Sequence, residues 1–391
     1  MYKTNVFIDA RPILSEKMSG IGHVTLKTLE ALNKNQRFLQ FYNPILLGYK
    51  NKRYIFDTYN LTNFEYKSLP MPQKGLRVLE RLNIDFIVEL IYGKGIYLFP
   101  NFQNWKLFRS KSITYFHDIA FLLYPETVEP LNLIHLQKNY LKWAKRTDVL
   151  VTVSESSKVE ILNEKSISSL VEKIEVLING VDTELTPTNK QATEEVARKY
   201  NIEAKFKSFI LYVGNIEPRK NIAQLIHAYR SLSIGIKKEF PLVIVGGGGW
   251  KSDEVLGLIS ESIDAGDMIY HPDSYVNDED LYTLIAGAKV VVQPSLHEGF
   301  GVTPLLAASI GITNVVSDIP SLREVTHFTQ SSTFYFDPYS EKSLKNKLEE
   351  SLEYAPKDMV LLRNEIQQAR DHFDWNLTAS KLVSIMEELA I

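Results

Sequence analysis

Short runs rich in Val and Ile alternate with longer helical patterns along most of this chain, and this alternation constrains the fold more than any other sequence feature. The runs lack the strict apolar–polar alternation of half-exposed strands, which is typical of parallel strands covered on both faces. Amphipathic patterns lie between them at 22–34, 221–232 and 278–288. The alternation predicts doubly wound α/β sheets. The runs are NVFID (5–9), ITYFHD (113–118), VLVTVS (149–154), FILYVG (209–214), PLVIVG (241–246), VVVQPS (290–295) and NVVSD (314–318).

The alternation pauses once, and the pause divides the chain. LINGVDTELTPTNKQATEE (177–195) is polar, contains the turn signal Asn179-Gly180, and precedes a new strand–helix series. At 391 residues the chain is also longer than one typical domain. We therefore expect two doubly wound domains of similar size and a final segment, at residues 1–185, 186–371 and 372–391.

Composition and charge exclude several functional classes. The net charge is −3, from 44 basic and 47 acidic residues, so the basic excess of a nucleic-acid-binding protein is missing. The chain has no cysteine, which excludes disulfides and thiolate metal sites. The N-terminal sequence lacks a signal-peptide layout, and no apolar run approaches the ~20 residues of a membrane span. We expect a cytoplasmic protein whose membrane contact, if any, is peripheral.

One amphipathic segment leaves two interpretations open. MPQKGLRVLERLNIDFIVELIY (71–92) carries Lys74, Arg77 and Arg81 on its polar side. This pattern fits a surface helix of the first domain. It also fits a patch that lies on the surface of a membrane.

Two glycines precede the first helical pattern in MSGIGHVTL (18–26). Gly20 and Gly22 would let the N-terminal amides of that helix face an anion, because this end of a helix carries positive partial charge. An ordinary tight turn needs the same residues, so both interpretations stay open.

A basic pair follows a buried strand in YVGNIEPRKNI (212–222). The strand pattern ends at Gly214, and a helical pattern begins near Asn221. Open α/β sheets bind ligands at the carboxyl ends of their strands. Arg219 and Lys220 could therefore hold a diphosphate, Arg with a planar fork of donors and Lys as a compact charge. The alternative is a solvated surface cluster.

Four glycines, beginning with Gly246, follow the next strand in VIVGGGGWK (243–251). They indicate either close backbone approach or a flexible turn. The pattern does not match a nucleoside-triphosphatase loop, and it lacks the spaced acidic residue of a nicotinamide-binding fingerprint. An oxidoreductase is therefore disfavoured.

The stretch HEGFGVTPLL (297–306) has the pattern of a ligand loop between a strand and a helix. Pro304 fits the first turn of the helix. The amides from Gly301 to Thr303 would then point out of a helix N-terminus, where phosphate binds well. Glu298 beside them can accept hydrogen bonds from hydroxyls but would repel phosphate. This combination suggests a sugar nucleotide.

A histidine and a carboxylate follow a strand of the first domain in YFHDIAFLLYPE (115–126). His117 is either a structural residue or a group that binds or acts on substrate, with Asp118 beside it.

In their order and spacing these motifs resemble those of retaining glycosyltransferases of family 4, over nearly the whole chain. The resemblance implies the GT-B architecture, in which two Rossmann-like domains face each other across a cleft and a C-terminal helix crosses back to the first domain. The segments that carry it are IDARPIL, SGIGH, FHDIAFLLYPE, TVSESSK, INGVD, YVGNIEPRKN, LVIVGGGGW, SYVNDEDLYTLIAGA and PSLHEGFGVTPLLAASIGITNVVSDIPSLREV.

The resemblance also implies roles for individual residues. Arg219 and Lys220 match the basic pair that holds the donor diphosphate, and Glu298 matches the first acid of the E-x7-E motif, which contacts the donor sugar. His117 would face the transferred sugar, and Asp118 the acceptor. The other donor-binding positions are Gly20, Gly22, Gly214, Gly246, Tyr275 and Val276 (flanking the base), Gly299, Phe300, Gly301, Val302, Thr303 and Leu306.

The activity implied is transfer of a hexose or deoxyhexose from a nucleotide sugar to a saccharide or lipid-linked saccharide, in bacterial surface polysaccharide or glycoconjugate synthesis. Cations and helix-end amides would stabilise the departing diphosphate, with no metal and no cofactor. Front-face attack would retain the anomeric configuration without a protein nucleophile.

One position departs from the family pattern. Leu306 stands eight residues after Glu298, where the family has its second Glu, which accepts hydrogen bonds from the donor ribose. Losing such a bond costs roughly 1.5–3 kcal/mol, or about ten- to a hundred-fold in donor binding. Another residue holds the ribose, or the donor binds less tightly, or activity is lost. The last case is the alternative function: a non-catalytic protein that binds sugar nucleotides or glycans.

Overall fold

The computed structural model describes residues 3–16, 18–182 and 188–389. The chain forms two compact units, and the predicted boundary at 185/186 lies outside the described residues. Residues 120–130 belong to the second unit, where the ring of Tyr124 lies 5.1 Å from that of His297. The first unit comprises Met1–Ile119, Leu131–Gly180 and Phe373–Ile391, and the second comprises Ala120–Pro130 and Val181–His372.

The described part of the first unit contains one parallel sheet of seven strands in the order β3-β2-β1-β4-β5-β6-β7. Its first six positions repeat the strand order of a dinucleotide-binding sheet, with the reversal between β1 and β4. The strands are β1 (Thr4–Asp9), β2 (Tyr42–Gly48), β3 (Glu65–Ser68), β4 (Ile96–Phe99), β5 (Lys111–Tyr115), β6 (Val149–Thr152) and β7 (Ile174–Val176).

The described part of the second unit contains a six-stranded parallel sheet in the order β10-β9-β8-β11-β12-β13. This is the same order again, now with its reversal between β8 and β11. The strands are β8 (Ile210–Val213), β9 (Leu242–Val245), β10 (Ile269–Tyr270), β11 (Val290–Gln293), β12 (Thr313–Ser317) and β13 (Thr333–Phe336).

Helices connect the strands and cover the sheets. The α-helices are α1 (Gly20–Lys34), α2 (Gln36–Phe41), α3 (Arg53–Phe56), α4 (Gln73–Arg81), α5 (Ile87–Tyr92), α6 (Ala120–Leu123), α7 (Pro130–Lys145), α8 (Glu155–Asn163), α9 (Lys165–Ser168), α10 (Lys190–Lys199), α11 (Ile222–Arg230), α12 (Ile234–Glu239), α13 (Asp253–Asp264), α14 (Asp278–Gly287), α15 (Val302–Ser309), α16 (Pro320–Val325), α17 (Glu341–Glu353), α18 (Met359–His372) and α19 (Trp375–Leu389). Short 3-10 helices occur at Arg11–Ile13, Lys50–Lys52, Pro125–Thr127, Pro218–Lys220 and His327–Ser332.

The predicted α/β class is confirmed. Each of the seven Val/Ile-rich runs overlaps a strand, and each of the three predicted helices is present to within two residues at either end. The central strands are buried on both faces, as their uninterrupted apolar sequences require; β8, for example, lies between two apolar clusters.

The segment 71–92 differs from a continuous amphipathic helix. It forms α4 and α5, separated by five residues in which Asn83 has φ of 60°. The left-handed conformation at Asn83 ends α4, because L-residues do not continue a right-handed helix through it. Lys74, Arg77 and Arg81 are all exposed on α4, as predicted.

The last helix packs on the first unit, which confirms the expected return of the chain. Six residues of α19 are buried, among them Leu382 and Met386. The Thr378 hydroxyl donates to the carbonyl of Ile178 over 2.5 Å. No helix among residues 3–16, 18–182 and 188–389 is both long enough and apolar enough to cross a bilayer.

Candidate functional site

The loops after β8 and β11 lie where the strand order of the second sheet reverses. The two strands are neighbours, with Ile210 paired to Val290. In open parallel sheets such a reversal leaves a crevice at the carboxyl ends of the strands, and ligands bind there. The first loop carries Arg219 and Lys220, and the second carries Glu298. The structure therefore brings together the three second-unit residues that the sequence singled out as catalytic.

The carboxylate of Glu298 accepts hydrogen bonds from four side chains. Oε1 accepts from Lys220 Nζ at 2.6 Å, Ser295 Oγ at 2.7 Å and Gln293 Nε2 at 2.9 Å. Oε2 accepts from Arg219 at 3.0 Å. We call these five residues the Glu298 network. Hydrogen bonds between charged partners are about twice as strong as neutral ones, so the network fixes both cations in one orientation.

Burial and charge oppose each other at Glu298, and charge prevails. The side chain is 9% exposed, which disfavours its ionised form, but Lys220 and Arg219 outweigh burial and lower the pKa of Glu298 to about 2. Burial and repulsion from Arg219 lower the pKa of Lys220, while Glu298 opposes that shift. At neutral pH the carboxylate is ionised, and its charge compensates one of the two cations.

The backbone of the first loop explains how the basic pair is placed. Pro218 begins a single 3-10 turn, and Asn221 then takes a left-handed conformation with φ of 55° before α11 starts. The Leu296 amide donates to the Arg219 carbonyl over 2.9 Å, which ties this loop to the one after β11. Arg219 also donates to the carbonyl of His297 at 2.7 Å. The basic pair is therefore largely buried and hydrogen-bonded to the second loop, and it is not a solvated surface cluster.

A helix begins at the end of the second loop, close to Glu298 in sequence. Gly301 caps α15 with φ of 110°, a conformation that L-residues with a side chain rarely adopt. A Cβ at this position would also lie 2.6 Å from a methyl group of Leu322. The Val302 side chain is 52% exposed, so the first turn of α15 reaches solvent. The first amides of a helix have no partner within the helix, so an anion site at this turn, predicted from the sequence, stays a prediction that this geometry allows.

Gly214 and Gly246 cross each other where β8 and β9 end. A Cβ on Gly246 would lie 1.9 Å from the carbonyl oxygen of Gly214. The Gly246 carbonyl in turn contacts His271 Nε2 at 2.9 Å. The close approach inferred from the glycine run is therefore an approach of two backbone segments to each other. That contact alone requires glycine at position 246, whether or not a ligand also contacts it.

Comparison with known proteins agrees with this geometry. Residues 192–368 match the family described as glycosyl transferases group 1. The matched stretch covers most of the second unit. The chain is 31% identical to the O-antigen chain mannosyltransferase B of Escherichia coli over 234 residues, which cover 60% of each chain. It is 29% identical to a serotype-specific mannosyltransferase WbdA of Escherichia coli over 62% of this chain and 29% of that one. The chain thus spans less than two thirds of the length of these relatives.

The fold has solved counterparts as well. A sucrose-phosphate synthase from Thermosynechococcus elongatus superposes with a TM-score of 0.73 over 99% of both chains, at 15% identity. That similarity, together with two parallel sheets that share one strand order over six strands, identifies the GT-B fold.

The residues expected to flank the base, Tyr275 and Val276, follow β10. Tyr275 is 62% exposed, whereas Val276 is buried in the apolar cluster under the sheet. Leu306 on α15 is half-buried and packs against the same cluster. Where the family pattern has an acid, this chain therefore has an apolar side chain that extends the core toward the surface.

The first-unit candidates lie on two separate elements of their sheet. Gly20 begins α1, and the Ser19 hydroxyl caps that helix by accepting from the Gly22 amide at 3.2 Å. A Cβ at Gly20 would meet nothing within 4 Å, whereas one at Gly22 would lie 2.6 Å from the Pro12 carbonyl. Packing therefore explains the second glycine and leaves the first without a structural reason.

His117 follows β5 and lies against the backbone of the neighbouring strand. Its Nε2 is 2.8 Å from the carbonyl oxygen of Pro100, just after β4. Burial lowers the pKa of His117, against the opposing effects of Pro100 and Asp118. The ring is therefore neutral at physiological pH and can donate to Pro100 from Nε2, with Asp118 half-buried beside it.

Two members of the Glu298 network are residues that the sequence analysis did not single out. Ser295 is fully buried and Gln293 is 3% exposed. The available signal was their polarity within and just after the valine run of β11, where an apolar residue would be expected. Among residues 3–16, 18–182 and 188–389, no group of three or more His, Asp or Glu side chains could hold a metal ion.

Proposed function

We propose that this protein transfers mannose from a nucleotide-activated donor to a saccharide or lipid-linked saccharide during synthesis of a bacterial surface polysaccharide. The Glu298 network carries the proposal, because its two oriented cations lie at the strand ends where open parallel sheets bind ligands, in the region that matches the glycosyltransferase family model. The choice of mannose within the wider hexose class rests on the mannosyltransferases to which the chain is similar.

Glycosyl transfer needs stabilisation of a diphosphate whose negative charge grows as the glycosidic bond breaks. Arg219 and Lys220 would supply that stabilisation, together with the amides at the start of α15. Groups that are already oriented before the reaction need no reorganisation as charge develops, which is where electrostatic catalysis gains most. Glu298 would keep both cations in position, and its Oε2, to which Arg219 donates, would also accept a hydroxyl of the donor sugar. We propose that this takes place without a metal ion.

We propose that the anomeric configuration is retained. The acceptor hydroxyl would attack from the face that the diphosphate leaves, and the departing phosphate would take its proton. The carboxylate of Glu298 already accepts four hydrogen bonds. Such a group is held as an ionised acceptor, and it is a poor nucleophile compared with a freely placed carboxylate.

Leu306 motivates the second candidate, a protein that binds sugar nucleotides or glycans without turnover. Its side chain packs on the core cluster and offers no acceptor to a ribose hydroxyl. The two candidates predict the same ligand and differ only in whether product forms.

We also propose a cytoplasmic location, with peripheral contact at the inner face of the membrane. A lipid-linked acceptor would be presented there, and nucleotide sugars are made in the same compartment.

The deciding experiment measures binding and turnover on the same preparation. A thermal-shift screen against GDP-, UDP-, dTDP- and ADP-sugars identifies the donor, because a ligand of the native state raises its apparent stability. Transfer to a mannose-containing oligosaccharide is then followed by mass spectrometry, and the new linkage by NMR. Binding of GDP-mannose with retained-configuration product supports the proposal. Binding without product supports the second candidate.

A matched pair of lysine variants tests the site. Lys220 and Lys237 each lie 2.6 Å from a carboxylate oxygen and are 16% and 13% exposed. Replacing either lysine with Ala therefore breaks a similar ion pair in the second unit: Lys220 with Glu298, or Lys237 with Asp267. We expect Lys220→Ala to abolish transfer and Lys237→Ala to preserve it. Equal turnover in the two variants would refute the site assignment.

A further inference from the structure

The acidic side chains of residues 71–109 all point into the first unit. The segment contains Glu80, Asp85 and Glu89, which are 6%, 0% and 4% exposed. Trp143 donates its indole N–H to Glu80 over 2.8 Å. Arg146 lies 2.8 Å from a carboxylate oxygen of Asp85. These negative charges are therefore compensated inside the protein and contribute little to the surface field.

The third acid, Glu89, joins α5 to the loop that follows β4. Its two carboxylate oxygens accept from the amides of Phe108 and Arg109, at 2.6 and 2.9 Å. This contact holds the loop beside α5, so the side chains of both elements belong to one surface.

The outer side of α4 is basic and apolar. Lys74, Arg77 and Arg81 are exposed and recur at three- and four-residue intervals, which places them on one face of the helix. Val78 lies between Arg77 and Arg81, and Leu82 directly follows the helix; these two residues are 52% and 61% exposed. The apolar side chains of this face can be buried only by a partner that also carries negative charge, because the basic side chains lie among them.

The adjoining part of α5 and its loop has the same character. Leu90 is 67%, Ile91 52% and Phe108 61% exposed. The ammonium group of Lys106 lies 4.8 Å from the ring centre of Phe108, and the ring of Phe86 lies 5.1 Å from that of Phe108. Large exposed apolar side chains grouped in this way mark an interaction site.

We propose that this basic–apolar face binds the surface of an anionic lipid bilayer. The face consists of Lys74, Arg77, Val78, Arg81, Leu82, Leu90, Ile91, Lys106, Phe108 and Arg109. Interfacial helices combine a basic polar side with apolar residues that enter the headgroup region, and anionic lipids attract the basic residues. A protein partner would have to be both acidic and apolar over the same area, whereas an anionic bilayer presents both properties everywhere. The proposal assigns the peripheral membrane contact to a specific surface. Only the biological purpose of that contact rests on the proposed transfer to a lipid-linked acceptor.

Vesicle co-sedimentation of the full chain tests the proposal. We expect binding to vesicles in which phosphatidylglycerol replaces part of the phosphatidylcholine, and none to phosphatidylcholine alone. Raising the salt concentration should weaken binding, because it screens exposed charges. The triple variant Lys74→Glu, Arg77→Glu, Arg81→Glu should bind roughly tenfold more weakly or worse.

A matched control separates the face from total charge. Lys238, Lys342 and Lys357 are exposed residues of the second unit, and changing all three to Glu alters the net charge by the same amount. This control should bind vesicles like the native chain. Leu90→Ser with Phe108→Ser tests the apolar part, and we expect weaker binding to the same vesicles. Circular dichroism identifies any variant that fails to fold, and because all five substituted residues of the face are exposed we expect native spectra.

Three outcomes would overturn the proposal. The first is equal binding of the native chain and the α4 triple variant, and the second is binding that ignores phosphatidylglycerol. The third is a variant of the face that sediments differently from the native chain in the absence of lipid, because the face would then be a contact between copies of the chain. Transfer to a soluble saccharide should survive in the α4 triple variant, so failure of the lipid proposal and failure of the proposed function are separable.

Discussion

Replacing Glu298 with Gln keeps the shape of the side chain and removes the charge that holds Arg219 and Lys220. The pKa of Glu298 falls from 4.5 to about 2 in the fold. At 1.36 kcal/mol per unit, this corresponds to about 3 kcal/mol of stabilisation at neutral pH. The side chain is only 9% exposed, so solvent screening is a small correction. Removing one partner of a buried pair typically costs about 3–5 kcal/mol, which agrees.

The pH dependence of this stabilisation has a definite sign. Because the folded pKa lies below the unfolded one, the stabilisation is complete above about pH 4.5 and disappears as the pH falls through about 2. The difference in free energy of unfolding between the native chain and Glu298→Gln should therefore shrink from about 3 kcal/mol at pH 7 to about 1 kcal/mol at pH 3. Urea unfolding followed by circular dichroism at several pH values measures it.

An exposed ion pair of the same unit provides the control. Glu261 lies 3.1 Å from Arg230 but is 67% exposed. Surface pairs of this kind contribute about 0–1 kcal/mol, so Glu261→Gln should change stability little. Equal stability of the two Gln variants at pH 7 would refute the stabilising role of the Glu298 charge. So would a loss of stability in Glu298→Gln that grows as the pH falls.

Three further predictions concern the second unit. Gly246→Ala should lose about 1–3 kcal/mol of stability, measured by calorimetry, because its Cβ would overlap the Gly214 carbonyl. Gly247→Ala is the control and should leave stability unchanged, because a Cβ there would meet nothing within 4 Å. Equal melting temperatures of the two variants would contradict the close approach of Gly214 and Gly246. Leu306→Glu should tighten donor binding by roughly ten- to a hundred-fold in calorimetric titration, and unchanged affinity would mean that another residue already holds the ribose. Prolonged chelation with EDTA should leave transfer unchanged, and lost activity that Mg²⁺ or Mn²⁺ restores would refute the metal-independent mechanism.

Much of the fold could be predicted from sequence because parallel strands buried on both faces leave a strong local signal. The strands that carry the site, β8 and β11, are of this kind, and so are the glycines and Pro304 at their exits. β2 gives a weaker signal: Pro44 stands within it, paired with Val6 of β1, and proline cannot donate to a sheet ladder. The short strand β10 has only two residues, too few for any periodicity.

The site was predictable as a set of positions but not as a network. Sequence spacing placed Arg219, Lys220 and Glu298 at one edge of a sheet. It could not identify Gln293 and Ser295 as hydrogen-bond donors to Glu298, because that contact depends on how a loop folds back on the strand before it. The role of a glycine is similarly ambiguous, since a run of glycines does not reveal whether a ligand or another backbone segment comes close.

The placement of α19 has a consequence for folding during synthesis. Multidomain chains usually complete their N-terminal domain first as they leave the ribosome. Here β7 ends at Val176, but the helix that buries Leu382 and Met386 in the same unit starts only at Trp375. At about 5–20 residues per second, this interval lasts on the order of 10 to 40 s. During this time the apolar surface of the first unit that α19 later covers stays exposed. We therefore expect the first unit, rather than the second, to depend on chaperones.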